Sequence, residues 1–263
     1  MKITSLKVII SGSTIEIYQY MEKPLPYDFT VSNRGSGIGS SESKIEIRKR
    51  SMQRTRSILR RLINANAWRW NKPNGEVYPP IFVTLTFAEN TQNTKTANFL
   101  FSKFIKRLTY YIGEQKKSFL KYVVVTEFQK RGAIHYHAIF FNLEHVRTNV
   151  FAKIWGQGFV KMNMINDVSN VGAYVCKYMG KDFDDDRLDG KKRYFCSKRL
   201  NKPTSIRDEK RARAIVEKIP KELIKFQKFF ETSHQGIVKY TQCQIDKQRS
   251  FKEIIPQLYD YPC

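Results

Sequence analysis

The chain has 263 residues, enough to bury a core without disulfides or a structural metal. Its 47 Lys and Arg against 24 Asp and Glu leave a formal net charge of +23, an excess that argues against a neutral housekeeping fold and for a polyanionic partner. No window approaches about 18 consecutive apolar residues, and Lys7 interrupts the first apolar run. A membrane span and a signal peptide are therefore not expected, and nucleic acid is the better partner.

Residues 5–10 and 14–20 read as two short strands around Ser11–Gly12–Ser13, a hairpin. Residues 31–44 are rich in Gly and Ser and have the composition of a linker, so 1–44 forms a first segment. A basic helix is expected from Ile45 to Ala65, within a segment 45–75. Its apolar members Ile58, Leu59, Leu62 and Ile63 cluster only at its end. On so basic a chain, Arg54, Arg56, Arg60 and Arg61 are candidate phosphate contacts.

After Pro79–Pro80, the alternation of Val83, Leu85 and Phe87 against Thr84 and Thr86 marks a sheet strand. Residues 94–112 change to helical spacing, with Ala97, Leu100, Phe101, Phe104, Ile105, Leu108, Tyr111 and Ile112 along one stripe. Strands follow at about 119–128 and 133–142, then a helix around 148–155, a strand at 159–165 and a helix from Ser169 to Lys181. This β-α-β-β-α-β-α order predicts an α+β fold, an antiparallel sheet with flanking helices, over a segment 76–185. Past the acidic run Asp184–Asp186 comes a basic stretch from Lys191 to Lys202, with Lys191, Lys192 and Arg193 as further candidate DNA contacts. Two helices are expected to flank Pro220, then a strand at 236–245, so 186–263 reads as a basic, helical region. The cysteines Cys176, Cys196, Cys243 and Cys263 form no C-x-x-C pair, which fits a reducing compartment.

Two of the four histidines sit as His135–Tyr136–His137 in an apolar strand. Alternate strand residues share a face, so both imidazoles point the same way. The preceding strand ends at Glu127, and the loop Lys130–Arg131–Gly132 has glycine where a left-handed residue is wanted. A hairpin centred on Arg131 puts Glu127 directly across from His135, with His137 its diagonal neighbour. A two-residue turn would instead pair Glu127 with Tyr136 and scatter the ligands. A carboxylate at the end of an apolar strand is costly unless paired or ligating. Two imidazoles, one carboxylate and open positions suit Mg²⁺ or Mn²⁺ acting on a phosphate, and Zn²⁺ also fits the ligand types.

On the helix from Ser169, at about 100° per residue, Tyr178 falls about 40° and Lys177 about 60° from Tyr174. Lys181 lies on the same arc, while Val168, Val171, Val175, Met179 and Phe183 take the other side. The helix thus has an apolar side to dock and a Tyr/Lys side to present. A phenol with a pKa near 10 is a poor nucleophile at neutral pH. A nearby Lys177 ammonium and a metal-polarised phosphate would both help Tyr174 attack.

Three motifs in order carry a resemblance. Residues Phe82–Phe87, the stretch Gly132–Phe141 around His135 and His137, and Tyr174–Lys181 resemble the motifs of the HUH endonucleases, specifically rolling-circle replication initiators of small phages and plasmids. The likeness spans roughly residues 80–183. It implies a five-stranded antiparallel sheet of the ferredoxin- or RRM-like type. It also implies Mg²⁺ or Mn²⁺ on His135, His137 and Glu127, Tyr174 as nucleophile, Tyr178 as a second one and Lys177 assisting. The expected activity is nicking and rejoining of single-stranded DNA at a replication origin through a 5′-phosphotyrosine, in the cytoplasm of a prokaryotic host. No phosphate loop of the Gly-x-x-x-x-Gly-Lys-Ser/Thr type is present, so a host helicase and polymerase are expected partners. Rival readings are an HUH transposase of an insertion sequence, a non-catalytic DNA-binding regulator on the same fold, and a zinc hydrolase, which would not need the tyrosines.

Overall fold

Short apolar runs punctuated by glycine turns build most of the strands. The computed structural model describes residues 3–22, 25–26, 44–113, 119–166, 168–178, 186–188, 191–232 and 235–245. In chain order the first elements are β1 (Ile3–Thr4), β2 (Leu6–Ser11), β3 (Thr14–Tyr20), β4 (Leu25–Pro26) and α1 (Lys44–Asn66). Then come β5 (Ile81–Thr86), α2 (Thr94–Tyr111), β6 (Tyr122–Phe128), β7 (Ile134–Phe140), α3 (Thr148–Trp155), β8 (Val160–Met164) and α4 (Val171–Tyr178). The rest is β9 (Tyr194–Cys196), β10 (Thr204–Ile206), α5 (Glu209–Lys218), β11 (Ile224–Thr232) and β12 (Gly236–Gln244). Two units emerge, one formed by Met1–Ser57 with Lys202–Cys263 and the other by Ile58–Asn201.

The second unit holds a five-stranded antiparallel sheet in the order β8-β5-β7-β6-β9. Residues Ile81, Val83 and Leu85 of β5 share one face with Val124, Phe128, Tyr136, Ala138 and Phe140 of its neighbours, all buried in one cluster. Helix α2 covers that face with Ala97, Phe101, Phe104 and Leu108, and α3 adds Phe151 and Trp155. The aromatic rings meet edge-on, Phe104 against Trp155 at 5.3 Å and Phe101 against Tyr136 at 5.6 Å. Asn93 caps α2 by accepting from the Lys95 and Thr96 amides, which satisfies two otherwise orphaned donors. The helical stripe is as expected except at Tyr111, which is exposed at the frayed end of α2.

One strand of this sheet was hidden in the sequence. Tyr194–Cys196 pairs with Val123–Val125 as an edge strand, inside the stretch that composition marks only as basic. Buried asparagines do further joining work. Asn142 accepts from the Lys121 amide at 2.6 Å and donates to the Phe119 carbonyl at 2.9 Å, while Asn66 exchanges hydrogen bonds with the Asn201 backbone, each 2.9 Å.

The first unit contains a second five-stranded antiparallel sheet, β10-β2-β3-β12-β11, and β1 pairs with β4 in a two-stranded sheet. Its core joins Leu6, Val8, Ile15, Ile17, Ile206 and Cys243 to Ala212 and Ile215 of α5. The hairpin of β2 and β3 and the strand β12 match expectation. The C-terminal third does not read as helical: α5 precedes Pro220, but the second expected helix is a single 3-10 turn followed by β11. Pairing with β12 along its whole length decides the matter. Leu223, Phe226 and Phe230 happen to fall at helical spacing, which is why the segment misleads.

No helix among the described residues is long and apolar enough to cross a membrane. Cys176, Cys196 and Cys243 are free thiols, and burial pushes that of Cys243 up to about 11.

Candidate functional site

The hairpin of β6 and β7 takes the register that builds a site. Glu127 stands opposite His135, and Val125 opposite His137. The turn makes this possible: Gln129 donates to the Ala133 carbonyl, and Gly132 sits at φ +92, a conformation that favours glycine. One ligand atom each from Glu127, His135 and His137 lies within 4.8 Å of the others. His137 Nε2 is 2.5 Å from Glu127 Oε2, and His135 Nδ1 is 3.8 Å from the same oxygen. The imidazole centroids are 4.6 Å apart.

This triad lies on the face of the sheet turned away from the α2 and α3 core, where Phe82 and Thr84 of β5 support it. Phe82 stacks on His137 at 5.7 Å with the planes 6° apart. Thr84 lies opposite His137, and its hydroxyl is 3.3 Å from Nδ1, which leaves Nε2 directed at Glu127. A partner on the far ring nitrogen is how a ligating imidazole is commonly oriented. Sequence reasoning missed both supports, although the alternation of β5 already placed residues 82, 84 and 86 on one face.

The donor set passes a chemical test for a divalent cation. Burial, with His137 adding to it and Glu127 opposing, drives the His135 imidazole down to about 4. Its ring is thus neutral, with a lone pair to give, across the physiological range. His135 Nε2 is buried and has no hydrogen-bond partner. A carboxylate and an imidazole nitrogen already in close contact across a shared proton present the atoms that a cation could bridge in its place. Glu127, His135 and His137 would hold the ion.

The tyrosine helix divides as its wheel predicts. Val171 and Val175 are fully buried, Tyr174 is half-buried and Lys177 is exposed. Its first turn is pinned to the last turns of α1. Asn64, itself 3 % exposed, accepts from the Gly172 amide at 2.7 Å and donates to Asn170 Oδ1 at 2.9 Å. Asn170 Oδ1 also accepts from the Ala173 amide at 3.0 Å, and Trp68 Nε1 donates to the Val168 carbonyl at 3.3 Å. Glycine is required at 172, since a Cβ there would collide with the Arg60 carbonyl oxygen. A polar Asn64 between buried Ile63 and Ala65 was the readable signal for this clamp.

Of the candidate DNA contacts, Arg54, Lys191 and Lys192 are exposed, and Arg56, Arg60, Arg61 and Arg193 are half-buried. The side chain of Tyr178 and all of Lys181 lie outside the described residues.

Residues 80–183 match the family model of the replication-associated protein ORF2. This stretch runs from the start of β5 through the tyrosine helix, so the triad and Tyr174 both fall inside it. The match supports a role in replication. No curated protein and no solved structure matches the chain.

Proposed function

We propose that the protein is a metal-dependent DNA nicking and joining enzyme that starts rolling-circle replication. The convergence of Glu127, His135 and His137 on one face of the replication-family sheet carries the reading. A bound Mg²⁺ or Mn²⁺ would supply Lewis-acid polarisation of the scissile phosphate. Glu127 and the two histidines hold the charge, while Phe82 and Thr84 keep the His137 ring in place. The Tyr174 oxygen attacks the phosphorus and loses its proton. A Tyr174 O–P bond forms as the P–O3′ bond breaks, and the leaving 3′ oxygen takes up a proton. The product is a 5′-phosphotyrosine and a free 3′-hydroxyl, from which a polymerase extends. Lys177, exposed one turn on, supplies positive charge to the phosphodiester. Tyr178 takes a second turn of the same chemistry, so that one phenol holds an end while the other cuts.

Single-stranded origin DNA is the substrate, and the host provides helicase and polymerase. Basic residues of α1 (Arg54, Arg56, Arg60 and Arg61) and of the stretch after α4 (Lys181, Lys191, Lys192 and Arg193) contact the DNA backbone. Incubation with end-labelled single-stranded DNA and Mn²⁺ tests the reading. A denaturation-resistant protein–DNA adduct is expected, lost in the double variant Tyr174→Phe/Tyr178→Phe and in EDTA. An adduct that persists in the double variant would assign the chemistry elsewhere, and no adduct with wild type would favour a DNA-binding regulator without catalysis.

A further inference from the structure

The two faces of the first unit's sheet carry different chemistry. One holds Val8, Ile15, Ile17 and Cys243, the cluster that α5 covers. On the other, strand register lines up Lys7, Tyr18, Tyr240 and Lys228 in a single row across four strands. Phe226 stands in the adjacent row, opposite Gln242. The rings are close: Tyr18 and Tyr240 lie 5.1 Å apart, and Phe226 and Tyr240 6.2 Å apart. Lys7 Nζ sits 5.8 Å from the Tyr18 ring centre.

Strand β11 is the edge of this sheet, and its residues 225–229 are all exposed. Phe226 keeps 49 % of its surface in solvent. The run Lys225–Phe230 contains two lysines, three phenylalanines and no acid. Among the strand residues on this face the carboxylate is Glu16, which is 1 % exposed and accepts the Tyr240 hydroxyl at 2.8 Å. Little negative charge therefore reaches solvent there.

An apolar edge strand can invite a second copy of itself, but lysines on the edge oppose such pairing, because like charges would be brought together. Aromatic faces flanked by ammonium groups suit a different occupant. They stack bases while the charges follow the phosphates, and they do so with little regard to sequence. We propose that this face, with Phe226 as stacking platform and Lys228, Lys225 and Lys7 beside it, is a second contact for single-stranded DNA, belonging to the first unit. The proposal rests on the reading above for the chemistry of its partner.

Fluorescence anisotropy of a labelled oligodeoxythymidylate, with the full chain in EDTA, tests it free of metal and cleavage. Phe226→Leu keeps the apolar bulk but removes the ring, and it should weaken binding on the order of tenfold, with Phe226→Trp restoring it. Phe229→Leu, on the opposite face of the same strand, should leave affinity unchanged. Lys228→Gln should lower the salt slope by about 0.7. Wild-type binding with no loss in Phe226→Leu would overturn this surface alone. Equal losses at Phe226 and Phe229 would also overturn it, as would a change in sedimentation of Phe226→Leu with DNA affinity intact, the mark of a second copy. Absence of binding by wild type would overturn the surface together with the nicking reading.

Discussion

The chain builds two antiparallel sheets of five strands, and they differ in where their strands come from. In the second unit all five lie between Ile81 and Cys196, and most neighbours are close in sequence. In the first unit β2 and β3 come from one end of the chain, whereas β10, β11 and β12 come from the other. Ile10 pairs with Thr204, and Thr14 with Gln244. The contrast separates what local patterning can specify from what only long-range pairing supplies. The locally connected sheet carries the metal ligands, which need tight register. The sheet of distant parts carries the aromatic and basic face.

Substitutions can sharpen this contrast. The largest effect is expected from Gly172→Ala, which drives a methyl group into the Arg60 carbonyl. It should cost about 3 kcal/mol of stability in the second unit, read by chemical denaturation. His137→Ala should lower Mn²⁺ affinity by at least about a hundredfold in calorimetry, since losing a ligand exceeds losing its support. In wild type, Mn²⁺ should raise the unfolding temperature of the second unit and leave that of the first where it was. A metal-induced shift in the first unit would break the distinction. Asn64→Ala leaves the buried Gly172 amide without its acceptor and should cost about 2 kcal/mol, with a weaker adduct from a displaced Tyr174. Thr84→Val removes the hydroxyl beside His137 Nδ1 and should reduce metal affinity about tenfold without unfolding the sheet.

The smallest effect belongs to the first unit and to acid. Burial alone would push the Glu209 carboxyl up. Hydrogen bonds from Ser5 and Thr4, with Arg213 nearby, hold it instead at about 2. A carboxyl lowered in the folded state contributes stability that is fully present above its ordinary value of 4.5 and is lost as pH falls toward 2. Acid unfolding of the first unit should accordingly be shallower in Glu209→Gln. An unchanged acid limb would remove Glu209 as a tie between α5 and the start of β2.

The site hairpin was legible because three local signals agreed: the spacing of His135 and His137, the glycine at 132 and the apolar run ending at Glu127. Together they single out one register, the one observed. The tyrosine helix was legible for a similar reason, since Val171 and Val175 define the docked side. Strand β9 escaped notice because three residues among lysines and arginines give no period. Strand β11 escaped because neither of its faces is deeply buried, so the period of two is missing and a false helical spacing remains. The clamp on the tyrosine helix joins residues more than a hundred positions apart, and only its buried asparagine hinted at it.

The split origin of the first sheet also has a consequence in time. The β2–β3 hairpin leaves the ribosome long before its neighbours exist, because roughly 180 residues separate it from β10, and at about 5–20 residues per second that is a wait on the order of ten to forty seconds. During synthesis both margins of the nascent ribbon are open to wrong partners. Slowing translation across the middle of the message should therefore raise the share of insoluble product.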